Sequence, residues 1–130
     1  MNKVLLSLAL TLLLPLTLSA AIPDMKFRRL DTRDGLSNSQ VLTIYRDTKG
    51  FVLIGTAYGL NRYDGYRVKT YYYNLRDTTT LRSNYVEQIF ENGDGCLWLK
   101  QGMSYSIFDP VTERCDRHPE RILEKLGITG

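Results

Sequence analysis

Between Asp34 and Gly65 the apolar residues fall into three short runs, Val41–Tyr45, Phe51–Ile54 and Leu60–Tyr63. Each is too short for a typical helix and rich in Val, Ile, Tyr, Leu and Phe, the composition of strands. Turn-forming residues separate them, first Asp47-Thr48-Lys49-Gly50, then Ala57-Tyr58-Gly59, and Asp64-Gly65 closes the third. Asp caps a turn through its own carboxylate and Gly supplies the left-handed backbone that tight hairpins need. With Arg67–Tyr73 as a fourth strand, the pattern predicts a four-stranded antiparallel meander.

The pattern then recurs. A shift of 45 residues places Leu36 on Leu81, Val41 on Val86, Ile44 on Ile89, Gly50 on Gly95 and Asp64 on Asp109 without a gap. Only five of 32 positions are identical, yet they are the ones that set strands and turns. Tyr45 on Phe90, Asp47 on Asn92, Val52 on Leu97, Ile54 on Leu99 and Tyr63 on Phe108 keep the chemistry. A period in the forties with four strands per unit is that of a β-propeller blade. The expected fold class is all-β, with two four-stranded antiparallel propeller-type blades, an incomplete propeller.

The motifs G-L-S-N-S-Q-V, D-T-K-G-F-V-L-I-G-T and G-L-N-R-Y-D-G resemble the two-component regulator propeller repeat. The likeness covers roughly residues 27–117, clear in the first unit and weaker in the second. Unit two keeps Trp98, which the family usually shows in the second strand, where unit one has Leu53. Unit two also has Lys100-Gln101 where unit one has Gly55-Thr56, and it lacks Gly59-Leu60-Asn61. The resemblance implies the periplasmic sensor part of a hybrid two-component regulator of the glycan-sensing kind. It further implies a parent anchored in the inner membrane, passing its signal to a kinase and a DNA-binding regulator. No kinase motif is present in these residues, so the chain itself is expected to be non-catalytic.

Outside the repeats the order is equally readable. Met1-Asn2-Lys3, the apolar Val4–Leu14 and the small-residue exit Ser19-Ala20-Ala21 have the layout of a secretory signal peptide. An uncleaved anchor over Val4–Ile22 is the other reading; Pro15 and the lack of positive charge directly after the run favour cleavage. The expected organisation is a signal peptide over 1–21, a lead-in over 22–34, repeat 1 over 35–73, repeat 2 over 74–118, and a short helix or tail over 119–130. Within the lead-in, Phe27–Leu30 stands 45 residues before Tyr72 and reads as the outer strand of a ring-closing blade. Ile122, Leu123 and Leu126 at helical spacing, with Gly127 behind, predict the helix.

Seventeen Lys and Arg against fourteen Asp and Glu give a net charge of +3, spread without a basic stripe, so no nucleic-acid contact is expected. The single His118 is followed at once by Pro119, which does not suit a phospho-accepting helix. With Cys115 and distant Cys96 it makes at most three metal ligands where a structural zinc site wants four. No metal and no cofactor are expected. Cys96 and Cys115 fall on the second and fourth strands of unit two, about 10 Å apart across an intervening strand, too far for a disulfide. Glu87 with Glu91, or Asp94 with Asp109, are the carboxylates that a glycosidase-like pair would draw on, although turn and surface roles are their ordinary use.

Nine tyrosines remain, and aromatic faces stack on sugar rings. Tyr71-Tyr72-Tyr73 lies on an outer strand, where packing on the neighbouring blade is the usual role. In a meander, the loop before strand one and the loop between strands two and three lie at one end. That rim would carry Ser37, Asn38, Gln40 and Tyr58 from unit one, and Arg82, Asn84, Tyr85 and Met103 from unit two. These are the candidate oligosaccharide-binding residues. The apolar residues of the first two strands point to both sides of the sheet, so both sides expect cover. The chain therefore reads as a fragment of a larger sensor, whose partners are further blades of the parent or another chain, an oligosaccharide, or a second copy in a homodimer. Alone it should be marginally stable, with an incomplete rim. A fragment of a polysaccharide-acting propeller enzyme and a self-associating propeller module are the alternatives.

Overall fold

The structure, a computed structural model, describes residues 2–4, 26–125 and 127; the signal peptide reading lies outside the described residues almost entirely. Among the described residues from 26 onward, eight strands and one short α-helix follow in order: β1 Val41–Arg46, β2 Val52–Thr56, β3 Gly59–Tyr63, β4 Val68–Tyr71, β5 Gln88–Glu91, β6 Leu97–Gln101, β7 Ser104–Asp109, β8 Arg114–Asp116 and α1 Glu120–Lys125. They form two four-stranded antiparallel sheets, β1-β2-β3-β4 and β5-β6-β7-β8, in unclosed sequence order. Among the described residues no helix is long and apolar enough to cross a membrane.

The 45-residue repeat is visible in the ladders. Ile44 pairs with Ile54 and Ile89 with Leu99; Leu53 pairs with Arg62 and Trp98 with Ile107. The turns repeat as well. Asp47 Oδ1 accepts from the Lys49 and Phe51 amides at 3.0 and 2.8 Å, and Gly50 closes the turn at φ 91°. In the second sheet Asn92 holds the Gly93 amide at 2.9 Å and Gly95 takes φ 83°. Asp64 and Asp109 likewise each accept the amide two residues on, at 2.8 Å. Register drifts only before the last strand: Tyr63 faces Val68, but Phe108 faces Cys115, because the β7–β8 turn is two residues longer.

One core holds both sheets. Successive side chains on a strand face opposite ways, and cross-strand partners share a face. Tyr45, Leu53, Leu60 and Tyr71 therefore make one face of the first sheet; Ile89, Leu97, Leu99, Phe108 and Cys115 make one face of the second. These two faces pack together, with Leu81 and Val86 of the connecting segment filling the seam. Tyr71 meets Phe108 edge-on at 4.9 Å between centroids. The opposite faces are covered only in part: Ile54, Thr56 and Asn61 of the first sheet are buried, with Ser37 bonded to the last two, while other side chains there stay exposed. Ile44 is 67% exposed on the first sheet and Phe90 48% on the second. The two sheets cover one face of each other, and their outer faces keep exposed apolar side chains.

Two further expectations meet the structure differently. Residues 27–30 form no strand, and Phe27 is 91% exposed, because no described strand lies beside them to supply a ladder. The helix forms, as α1, but with none of its residues buried. Thr32–Asp34 is instead a single 3-10 turn, capped by Asp31 and ended by Gly35 at φ 103°.

Candidate functional site

The rim is built by the segments that enter each sheet. Before β1, Ser37 turns inward: its amide donates to Asn61 Oδ1 at 2.8 Å, and its hydroxyl lies 3.0 Å from Thr56 Oγ1 and accepts from Asn61 Nδ2 at 2.8 Å. Thr56 and Asn61 are fully buried, so the trio satisfies polar groups that would otherwise be costly to bury. The second sheet repeats the device. Gln101 donates to the Ser83 carbonyl and accepts from Ser106 Oγ at 2.6 Å. Gln101 and Ser106 stand 45 residues after Thr56 and Asn61. Position in the repeat, read as a loop, did not show that Ser37 is a peg; its repeat-mate network in two sheets does.

The remaining rim residues divide in the same way. Asn38 caps the Gln40 amide at 2.8 Å, leaving the Gln40 side chain exposed. Asn84 joins the two sheets: its carbonyl accepts from the Gly59 amide at 2.6 Å and its Oδ1 from the Tyr73 amide at 2.7 Å. Arg82 donates to the Arg117 carbonyl at 2.7 Å and lies 3.9 Å from Glu120. Tyr58 and Tyr85 are the outward groups, the neighbours in sequence of Gly59 and Asn84, so the hydrogen bond between those two sets them on either side of the seam. Tyr58 leans on Tyr72 at 5.8 Å between centroids and keeps 56% of its surface exposed. Met103 is fully exposed at the tip of the β6–β7 turn.

The carboxylates that a paired site would draw on are engaged elsewhere, Glu87 at the rim and Glu91, Asp94 and Asp109 at the other end of the sheets, where Glu113 also lies. Glu91 accepts from Tyr45 Oη at 2.8 Å and Thr48 Oγ1 at 2.9 Å, across the two sheets. The Tyr45 bond holds the Glu91 carboxyl below the ordinary glutamate range. Glu113 joins Arg62 at 3.1 Å, Lys69, and Tyr71 Oη at 3.0 Å, again across the seam. Its residue takes φ 59°, an uncommon conformation for a non-glycine. The Lys69 bond lowers its pKa, while burial, helped by Glu113, pushes the Tyr71 hydroxyl up. Asp94 and Asp109 cap turn amides at 2.9 and 2.8 Å. Glu87 pairs with Lys100 at 3.3 Å.

Sulfur and imidazole are placed apart. Cys96 precedes β6 and Cys115 lies buried in β8; both are free thiols, and burial raises the pKa of each. His118 is exposed, with Nδ1 at 2.8 Å from Glu120. No group of three or more His, Cys, Asp or Glu is placed to hold a metal among the described residues. A cleft of about 220 Å³ opens between β4 and the linker, lined by Tyr71, Tyr72, Thr79, Thr80, Phe108 and Cys115. The sequence pattern could not show it, since its walls come from segments far apart in the chain, β4, the linker, β7 and β8.

With this geometry in place, comparison with known proteins is informative. The chain is 37% identical over 68 residues to histidine kinase P4 of Formosa agariphila, a match covering 52% of this chain and 5% of the kinase. Two solved structures of the extracellular domain of BT4673 from B. thetaiotaomicron share the fold. One, from a hybrid two component system, has 26% identity and TM-score 0.51, covering 69% of this chain and 13% of its own. The other, described as from a one component system, has 22% identity and TM-score 0.52, covering 70% and 14%. The chain thus spans a small fraction of the proteins it matches. The family model of the two component regulator propeller matches residues 35–58, from the C-cap glycine through the Ser37 peg, β1 and β2 to Tyr58.

Proposed function

We propose that the chain supplies two blades to the extracellular sensor propeller of a two-component regulator, without a catalytic step of its own, and that its rim contributes to oligosaccharide recognition. The observation that carries this reading is the matched repeat itself, which ends on Tyr58 at the open rim. Tyr58 and Tyr85 offer aromatic faces to sugar rings, while Gln40 and Arg82 offer hydrogen bonds to hydroxyls. Ser37 and Asn84 serve this rim from beneath, as pegs that hold its loops. A wall made by two blades is shallow, so binding by this chain alone is weak. Saturation-transfer NMR with a mixed oligosaccharide panel tests it: contacts at Tyr58 and Tyr85 are expected, and Tyr58→Ala should remove most of the signal. Unchanged transfer in Tyr58→Ala with Tyr85→Ala would move the site off the rim, and micromolar binding would show that two blades suffice.

Export to the periplasm completes the proposal. The charged start, apolar run and Ser19-Ala20-Ala21 exit support removal of the first 21 residues. Intact-mass analysis of the secreted material should find a chain starting between Ala20 and Ile22. A species keeping Met1 in the membrane fraction would count against it.

A further inference from the structure

The outer edges of β4 and β8 treat the linker differently. The Asp64 amide donates to the Arg67 carbonyl at 3.3 Å, which makes these two a bonded pair of the β3–β4 hairpin. Bonded and non-bonded pairs alternate along an antiparallel ladder. Arg62 with Lys69 and Leu60 with Tyr71 are therefore bonded pairs, and the amide and carbonyl of Thr70 point away from β3. On β8 the outward amide of Cys115 is taken by the Thr79 carbonyl of the linker at 2.7 Å. On β4 the linker stands off, and among the described residues no backbone group takes the Thr70 amide or carbonyl. The space between them is the cleft of about 220 Å³. The Tyr73–Leu81 bridge closes it toward the rim, and Glu113, bonded to Lys69 and to Tyr71 Oη, closes it at the other end. All its walls come from these two repeats and their linker, so the cleft is complete without a further blade.

We propose that this cleft binds one neutral, polyhydroxylated ring, a single sugar unit, at a site separate from the rim. Size sets the first limit. A cavity of about 150 Å³ holds one benzene ring, so this cleft admits one six-membered ring with its hydroxyls and no more. Charge sets the second. Glu113 is already paired with Lys69 and with Arg62 at 3.1 Å, and Lys69 Nζ holds the cation position 5.7 Å from the Tyr71 ring centre. A cationic ligand finds no unpaired carboxylate there, and an anionic one meets Glu113. A purely apolar ring suits Leu81, Phe108 and Cys115 but leaves the Thr70 amide and carbonyl covered and unpaired, which is costly. The amide and carbonyl of one extended residue lie side by side on the strand edge. Two neighbouring ring hydroxyls match them, one accepting from the amide and the other donating to the carbonyl. The Thr79 hydroxyl donates to Asp77 Oδ1 at 2.7 Å and keeps its lone pairs for a third hydroxyl.

The ring is either a free monosaccharide or the last unit of a longer chain; its chemistry at the cleft is the same. Tyr72 lines the cleft and its ring centre lies 5.8 Å from that of Tyr58, so cleft and rim are adjacent and a chain crossing the rim could end here. The site does not depend on the rim, since neither Tyr58 nor Tyr85 forms its walls.

Amide chemical shifts of the full chain test this during titration with methyl glucoside, methyl galactoside and methyl mannoside, and with cyclohexanol as a ring bearing one hydroxyl. At least one glycoside should saturate, with its largest shifts at Thr70, Thr79 and Cys115, and cyclohexanol should bind several-fold more weakly. Thr70→Pro removes the outward amide and spares the ladder, a place where an edge strand tolerates proline. It should weaken the glycoside about tenfold, the effect of one hydrogen bond, whereas Thr70→Val keeps the backbone and should bind as the parent does. Thr79→Trp, which fills the cleft, serves where Thr70→Pro does not fold by circular dichroism. Tyr58→Ala with Tyr85→Ala should leave glycoside binding unchanged, so the cleft and the rim fail separately. Oligosaccharides that shift both Thr70 and Tyr58 assign the ring to the end of a chain; monosaccharide shifts confined to the cleft assign a free sugar. No saturable shift with any glycoside, equal binding of cyclohexanol, unchanged binding by folded Thr70→Pro, or loss of binding in the rim double variant would each overturn the site.

Discussion

Single residues decide how closely the two sheets approach. Gly55 has an ordinary backbone conformation, so its role is spatial: a methyl there would also meet Thr43 Cγ2 at 2.6 Å and Val86 Cγ1 at 2.9 Å. Gly55→Ala should therefore cost about 1–3 kcal/mol, as overpacking does. Gly93→Ala, with nothing within 4 Å of the added carbon, should stay within about 0.5 kcal/mol of neutral. Urea denaturation of both variants checks the contrast, and equal losses would remove the steric account. Glu113 binds the sheets electrostatically, with its carboxylate lowered in pKa first by Lys69. Such a carboxylate adds stability that is complete above its unfolded pKa and is lost as pH falls through the folded one. Glu113→Gln should thus be less stable than the parent near pH 7 and should lose less on acidification to near pH 3. Urea midpoints at the two pH values test this; parallel losses in both proteins would show that Glu113 is not the titrating partner.

At the scale of elements, strands and turns were legible because each is set by neighbours in sequence. The alternation of Val41–Tyr45, the Asp47 and Asp64 caps and the 45-residue period need no distant partner, and the ladders follow them. The Phe27–Leu30 strand was not realised for the opposite reason, since a strand without a neighbour has no ladder. Ser37 and Asn84 read as loop groups free for a ligand, but their long-range bonds to Asn61 and to Gly59 and Tyr73 are invisible to local pattern. The linker after β4 shows the same limit. Nothing local in residues 74–80 shows that the Arg117 guanidinium donates to the carbonyls of Asn74, Asp77 and Thr80 at 2.7–2.9 Å and covers the Tyr73 ring at 4.9 Å. That grip lays the linker along β8, where the Cys115 amide donates to the Thr79 carbonyl at 2.7 Å. Arg117→Ala should cost about 1–3 kcal/mol, the range for lost charged hydrogen bonds. Amide exchange gives the sharper readout: protection at Cys115 should fall more than at Leu99. Equal loss at both amides would mean that Arg117 stabilises the whole rather than this edge.

The whole molecule should unfold as one unit, although it is built from two repeats. In a stacked repeat protein each unit has its own stability and a shared term with its neighbour. Here the shared term dominates, because the buried cluster takes one face from each sheet and neither sheet closes a core alone. Leu53 and Leu60 share one buried cluster with Leu97, Leu99 and Phe108, and Leu81 and Val86 complete it. Each repeat is about 45 residues, near the size at which a domain buries too little surface to fold by itself. Separating the sheets would expose the entire cluster, and no remaining half would retain an apolar interior. The single tryptophan makes this measurable, since Trp98 belongs to the second sheet. Leu60→Ala alters only the first sheet and should cost about 2–5 kcal/mol through its cavity. If the two sheets are one cooperative unit, the Trp98 fluorescence transition should move to lower urea by that full amount and coincide with the transition seen by far-ultraviolet circular dichroism. Were the sheets independent, Trp98 would report an unchanged midpoint while the circular dichroism signal split into two steps, and the shared core would then be a contact between two domains.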